Sequence, residues 1–240
     1  SEICKLVEPK EIEENGYKLQ TSRYLKTEDE TVIEAYLGTR KTLQLGDIAE
    51  IKRPLASLGK KSDEGVFLRE VTLSDMSDSG VIEQGSKVIQ IPEAIIATGR
   101  EQLLDERDIL LSIKGSIGKV SVVGKLEEQT VPGQAFCVVK LRPNAPLSAN
   151  ALVQYLRSEI GQFFFQKRSQ GTGVAFIPMG EVKSIPVVIP SEEENKRSNQ
   201  LKTRTSKLSV EIKRLANELS EISRNGWLED FTPTHQKVSP

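Results

Sequence analysis

A chain of 240 residues with 37% hydrophobic and 28% charged side chains can bury a real core, as one large domain or two small ones, and is too apolar for wholesale disorder. Its 33 Lys+Arg against 34 Asp+Glu leave a net charge of -1, which excludes a blanket polyanion binder but not a local basic stripe. No apolar run is long enough to cross a bilayer, and two cysteines, Cys4 and Cys137, argue against a disulfide framework or a usual zinc site. The start, Ser1-Glu2-Ile3-Cys4-Lys5, lacks both an initiator Met and the apolar stretch of a signal peptide. We therefore expect a cytoplasmic location without membrane contact, and read the chain as a processed or excised piece of a longer protein.

Residues 1–41 are acidic, and 28–37 predict a short helix with Val32, Ile33, Tyr36 and Leu37 near helical spacing. Residues 42–190 are rich in short β-like runs, at 65–68, 108–113, 119–123, 135–141 and 185–189, punctuated by Gly115, Gly118, Gly124, Gly133 and Pro143. One helix, about 148–166, interrupts them. Strands and helices do not alternate regularly, so the expected class is α+β: a mostly antiparallel, partly barrel-like sheet with a few helices, followed by a long coiled-coil helix.

That last helix occupies 191–225. Ser191 and Glu194 form a capping box, and the glutamates at 192–194 suit the positive end of the helix dipole. Leu201, Leu208, Leu215 and Ile222 recur every seven residues, with Ser198, Thr205, Ile212 and Leu219 on the second seam row. The apolar seam is Leu201, Leu208, Ile212, Leu215, Leu219 and Ile222. Asn225-Gly226 supplies the stop, for a helix about 50 Å long at 1.5 Å per residue. Such a seam needs a partner helix, from this chain or another copy. Residues 226–240 form a tail in which Trp227 is a packing anchor.

Several chemistries can be set aside. Gly115-Ser116-Ile117-Gly118-Lys119 lacks the Walker spacing, because Ile113 stands where a glycine is needed and Val120 where a hydroxyl is needed. Gly171-Thr172-Gly173 lacks the third glycine of a dinucleotide fingerprint. The one histidine, His235, has no cysteine or carboxylate cluster beside it for a triad or a metal. No motif for amino methylation of a base is present. No catalytic residue and no metal site are expected in this chain.

The remaining motifs run in a familiar order. Leu45-Gly46-Asp47-Ile48 opens the series. Asp105-Glu106-Arg107-Asp108 and then Lys114-Gly115-Ser116-Ile117-Gly118-Lys119-Val120 follow as turn and glycine loop. Next come Val131-Pro132-Gly133-Gln134-Ala135-Phe136, Tyr155-Leu156-Arg157-Ser158 with Gly161-Gln162, Gly171-Thr172-Gly173 before a short helix at 177–182, and Ile185-Pro186-Val187-Val188-Ile189-Pro190. Over about three-quarters of the chain this resembles the target-recognition domain and following conserved helix of type I restriction–modification specificity subunits. The start of the long helix departs from the family, which usually has Pro-Pro-Leu and then Glu-Gln where this chain has Ser191-Glu192-Glu193-Glu194. In addition, Ile12-Glu13-Glu14-Asn15-Gly16-Tyr17 through Leu25 is similar to the closing segment of type I-like adenine-N6 modification subunits. That similarity implies a fusion: 1–41 as the end of a methyltransferase region and linker, and 42–190 as the target-recognition domain.

The resemblance implies a non-catalytic reader of double-stranded DNA that serves an adenine-N6 methyltransferase. The coiled-coil helix would pair with another copy as a homodimer, or dock the methyltransferase and, with it, a restriction subunit. S-adenosylmethionine would bind the associated methyltransferase domain, with no cofactor in this chain. The expected DNA-binding residues are Lys52, Arg53, Lys60, Lys61 and Arg69 near the domain start, Lys114, Ser116 and Lys119 around a glycine loop, and Arg168, Ser169, Gln170 and Thr172 in a second loop. Arg197, Lys202 and Arg204 flank the seam and face either phosphate or a partner's carboxylates. A contrasting reading is a structural protein-interaction domain on a dimerisation arm without DNA specificity.

Overall fold

The computed structural model describes residues 6–14, 16, 17, 19, 24, 28–55, 65–92, 96–171 and 173–225. The chain divides into two compact units, one running through Asn199 and the other from Gln200. The elements in chain order are α1 (Pro9–Glu14), α2 (Glu28–Gly38), β1 (Thr42–Gln44), α3 (Leu45–Ile48), β2 (Ala49–Lys52), β3 (Val66–Val71), a 3-10 turn (Leu73–Asp75), β4 (Val81–Ile82), β5 (Lys87–Ile91), α4 (Ile96–Arg100), β6 (Ile109–Ser112), β7 (Val120–Val123), β8 (Thr130–Pro132), β9 (Phe136–Leu141), α5 (Ala149–Arg157), α6 (Glu159–Arg168), α7 (Met179–Lys183), β10 (Pro186–Val188) and α8 (Glu192–Asn225).

The first unit is built on a five-stranded sheet of order β2-β9-β6-β7-β4, beside a three-stranded sheet β5-β3-β8 and the pair β1-β10. Pairing is antiparallel except for β3 with β8 and β4 with β7. The expected barrel-like closure is not found, and the sheets are open. The chain leaves β8 in one sheet and enters β9 in the other through Gly133, whose N–H donates to the Val71 carbonyl at 3.0 Å. That turn splits the strands into separate sheets instead of wrapping one sheet on itself.

The central strands are buried at every position because both faces of the sheet are covered. On one face Ile109, Leu111, Val120, Val122, Cys137 and Val139 pack with Leu152, Leu156 and Phe165. On the other, Leu110, Val123 and Val138 pack with Phe136, Ile82 and Met76. The alternation along β6, β7 and β9 thus serves two cores at once. Burial pushes the Cys137 thiol up to about 12, so it stays protonated and behaves as a small apolar side chain.

The helix expected over 148–166 is two helices. Ser148 caps α5 by accepting from the Ala151 N–H at 3.2 Å. Ser158 takes an extended conformation, ends α5, and its hydroxyl accepts from the Gly161 N–H as the cap of α6. Ile33 and Leu37 of α2 pack on the core, whereas Val32 and Tyr36 lie on the outer side. The buried Glu30 pairs with Lys167 of α6.

The start of α8 bears out the capping box. The Ser191 N–H donates to Glu194 at 2.8 Å, and the Glu194 N–H donates to the Ser191 hydroxyl at 3.2 Å. Arg40 donates to both oxygens of the same carboxylate, at 2.6 and 2.7 Å, and stacks over Tyr36. Ser198, a polar seam residue, exchanges hydrogen bonds with Gln154 of α5. Farther along α8, Leu201, Leu208, Ile212, Leu215, Leu219 and Ile222 are each at least 48% exposed. Among the described residues, no helix is long and apolar enough to cross a membrane.

The Arg40 guanidinium and the Ser191 N–H hold the Glu194 carboxyl down at about 2, against an ordinary value of 4.5. The carboxyl therefore contributes stability that is fully present above about 4.5 and is lost as pH falls toward about 2. In thermal unfolding across this acid range, Glu194→Gln is expected to start from a lower Tm at neutral pH and to lose less on acidification; parallel curves for the two proteins would contradict the assignment.

Candidate nucleic-acid interface

The register of the five-stranded sheet brings several chain segments to one end. β2 leaves the sheet there at Lys52, which pairs with Val138, and β9 enters it at Phe136, opposite Ser112 of β6. β7 begins at the same end, where Val120 pairs with Leu111, and the parallel strand β4 begins two residues farther along, opposite Val122. Lys52, Arg53, Lys114, Ser116 and Lys119 therefore share one end. The opposite end carries Asp105, Asp108 and Lys140, where the Lys140 ammonium bridges both carboxylates at 2.8 and 2.9 Å.

The glycine loop between β6 and β7 is held from inside. The Ser112 hydroxyl donates to the Ser116 carbonyl at 2.5 Å and accepts from the Lys119 N–H at 2.9 Å. Gly115 and Gly118 take φ of 77° and 85°, a left-handed conformation that a side chain resists. A Cβ at Gly118 would also lie 2.8 Å from Oε1 of Gln162, whose amide donates to the Gly118 carbonyl. The loop is thus a shaped hairpin, and its shape presents Lys114 and Ser116 to solvent.

The two loops proposed from sequence meet. Lys114 and Gln170 both bridge to Phe176, with Gln170 and Phe176 exchanging backbone hydrogen bonds at 2.9 Å. The Gly115 N–H donates to the Ala175 carbonyl, and the Ile177 N–H to the Ile113 carbonyl. Val174 and Phe176 stay exposed at this junction.

The predicted residues differ in their engagements. Arg53 and Lys114 are exposed and make no ion pair with the described residues. Lys52 pairs with Glu50 at 3.0 Å, and the Lys119 ammonium donates weakly to the Leu73 carbonyl at 3.4 Å. Arg69 lies within β3 and pairs with Glu128 at 2.9 Å, the hydrogen bond lowering the carboxyl of Glu128 and raising the guanidinium. Arg168 is engaged by the fold: it donates to the Glu181 carbonyl at 2.6 Å and to the Ser184 hydroxyl, and lies over the Phe164 ring. Ser169 is half-buried after α6, and the Gln170 side-chain nitrogen is buried without a partner among the described residues. Lys60, Lys61 and Thr172 lie outside the described residues.

Sequence reasoning passed over Gln134 and Ser74. Gln134 follows the turn into β9, and its amide donates to the Leu55 carbonyl at 2.8 Å, tying the Arg53 segment to the sheet. Ser74 is exposed on the 3-10 turn whose Leu73 carbonyl meets Lys119. Gln134 stood inside a noted motif, but only the fold shows that it faces the loops. Among the described residues, no group of three His, Cys, Asp or Glu side chains could hold a metal ion.

These engagements separate two arginine and lysine roles. Arg168→Ala is expected to destabilise the fold by about 1.5–3 kcal/mol in denaturant titration, the size of hydrogen bonds to a charged group, while Lys114→Ala changes stability by no more than about 0.5 kcal/mol. Equal losses would place Lys114 in the framework.

Comparison with known proteins agrees with this architecture. The Type I restriction modification DNA specificity domain matches residues 38–217. No curated protein sequence matches the chain. Among solved structures, a type I restriction–modification S subunit from M. genitalium is 18% identical, with a TM-score of 0.45, covering 79% of this chain and 43% of its own. The HsdS subunit from Thermoanaerobacter tengcongensis is 13% identical, with a TM-score of 0.48 and coverage of 78% and 45%. The type IIG restriction endonuclease BpuSI is 10% identical, with a TM-score of 0.54 and coverage of 83% and 30%, a likeness of fold alone. The chain spans less than half the length of each of these proteins. With the matched segment running from the end of α2 well into α8, the chain belongs to the type I restriction–modification DNA specificity domain family, a family of DNA-binding target-recognition domains.

Proposed function

We propose that the chain reads a specific sequence in double-stranded DNA through the loop end of its five-stranded sheet, on behalf of an adenine-N6 DNA methyltransferase of a type I-like system. The observation that carries this reading is the gathering of Lys52, Arg53, Lys114, Ser116 and Lys119 at one end of a rigid sheet, in a member of this family. Arg53 and Lys114 supply exposed positive charge for phosphate or base-edge contacts. The hydroxyl of Ser116 and the side chains of Gln134 and Ser74 supply neutral donors and acceptors beside them. Lys60, Lys61 and Thr172 belong to the same proposed set by sequence. Adenine methylation within a duplex requires the base to be turned out of the stack. In this reading the domain holds the duplex in register, and the chemistry and the S-adenosylmethionine belong to the methyltransferase. The similarity of 12–25 to the end of modification subunits supports a fusion of the two in one polypeptide.

In the same proposal, α8 from Gln200 onward is a spacer that pairs with a second copy or docks a methyltransferase. The support is physical. Six large apolar side chains in heptad register stand at least 48% exposed, an arrangement that a partner helix would bury. Two readers on paired helices would face a bipartite site whose gap follows from helix length.

Selection from a pool of randomised duplexes tests the reading, and enrichment of one sequence is expected. Affinity for that sequence is expected to fall linearly in log–log terms with salt, and Lys114→Ala or Arg53→Ala to cost about 1–3 kcal/mol. No enrichment together with no loss in either variant would favour the structural interaction domain instead. The pairing is tested by sedimentation equilibrium: a dimer is expected that Leu208→Glu with Leu215→Glu converts to monomer, and a strict monomer at high concentration would count against self-pairing.

A further inference from the structure

Beside the loop end, where β4 stops short of the first residues of β7, lies a cleft of about 240 Å³. Lys119 contributes from the glycine loop, Arg157 from the end of α5, Gln162 from α6 and Asp78 from the turn before β4. Two of these are cations, and neither pairs with a carboxylate of the described residues. The Lys119 ammonium has only its long contact to the Leu73 carbonyl, and Arg157 donates to the Asp78 backbone carbonyl at 2.7 Å, leaving other N–H groups of its guanidinium for a ligand. Ser121, 1% exposed, also lines the cleft, and its hydroxyl has no hydrogen-bond partner among the described residues. A shielded donor left unpaired is costly, and natural folds rarely keep one without a use. Ser121 lies on β7 and Lys119 just precedes that strand, and both line the cleft.

We propose that this cleft binds a phosphate group, with Lys119 and Arg157 supplying charge and the Ser121 hydroxyl a hydrogen bond. Gln162 acts at one remove: its amide pins the Gly118 carbonyl and so sets where the Lys119 stem leaves the turn. The carboxylate of Asp78 opposes an anion, so Asp78→Asn strengthens binding. Phosphate reaches the cleft either as a backbone group of the duplex or free in solution. The first source rests on the proposed reading that this end of the sheet meets DNA. A backbone phosphate held here would fix the register of the duplex without reading its sequence.

Two titrations on the whole chain test the cleft and keep it separate from that reading. In the first, inorganic phosphate is added and backbone amide NMR shifts are followed. Shifts confined to the amides around Lys119, Ser121 and Asp78 are expected, and Lys119→Ala or Arg157→Gln should weaken them about tenfold, the scale of one charge-assisted hydrogen bond. Ser121→Ala guards against misfolding as the cause of a loss. It removes an unpaired hydroxyl and should leave Tm equal or higher while still weakening phosphate binding. In the second titration, duplex affinity is measured across salt for each variant. If the backbone is the source, Lys119→Ala lowers affinity equally for selected and unrelated sequences and reduces the salt slope by about 1. Phosphate binding at the cleft with no duplex bound at all would sink the DNA reading and keep the cleft as a site for free phosphate. Phosphate binding with an unchanged salt slope would likewise assign it to free phosphate. The absence of phosphate-induced shifts, with affinity and salt slope unchanged in both charge variants, overturns the proposal.

Discussion

The hydroxyl of Ser112 closes the turn on which the candidate interface depends. It donates to the Ser116 carbonyl and accepts from the Lys119 N–H, across a loop in which two residues take left-handed backbone. Ser112 is fully buried at the end of β6, so these bonds form in a shielded setting where they are strong and costly to break. Lys114 and Ser116 project from one limb of that loop, and Lys119 stands just before β7, the strand that leaves it. The loop cannot drift, because Gly118 is held by Gln162 of α6 and Gly115 by the Ala175 carbonyl. An arrangement of this kind puts basic side chains on a rigid frame, which is what a register-setting contact with a duplex requires.

Around that turn the two cores do complementary work. The face toward α5 and α6 anchors the sheet to the helices, and the other face carries Phe136 and Met76 beneath the 3-10 turn and β4. The loop end is thus fastened from both faces. Specificity in such a domain does not require a large apolar pocket. It requires donors and acceptors whose spacing is set by strands rather than by free loops. The cleft beside Lys119 fits this logic, since it lies where a sheet edge, a glycine turn and a helix end converge.

The first turns of α8, which lie within the first unit, are held to the rest of it by a polar cluster. Arg40, Glu194, Ser191, Gln154 and Ser198 form it, while the leucines farther on are exposed. The polar first half of one seam row, at Ser198 and Thr205, and the apolar second half therefore have different duties. Ser198 meets α5, and the exposed apolar rows are the part that a partner helix would use. The departure from the family at Ser191 to Glu194 has a local consequence too: it replaces a helix start of another kind with a capping box that Arg40 reinforces.

Much of this was legible in the residues. Five of the strands, α2, the capping box and α8 follow from runs of β-branched side chains, from heptads and from a hydroxyl spaced three residues from a carboxylate, all of them local signals. The short strands β1, β2, β4, β5 and β8 were not legible, because two to five residues are too few for alternation to stand out and their partners lie far away in sequence. The break at Ser158 was missed because the apolar spacing continues across it. The loop set was legible as a list of polar residues and not as a place. That Lys114 meets Gln170 through Phe176, that Arg168 is consumed by Glu181 and Ser184, and that Gln134 reaches the Leu55 carbonyl are pairings between distant segments. The sequence by itself determined the elements with strong local signals, the family and the chemistry available to it. Only tertiary structure decided which cations remain for a ligand, because a side chain's freedom depends on neighbours that strand register and helix packing bring to it from elsewhere in the chain.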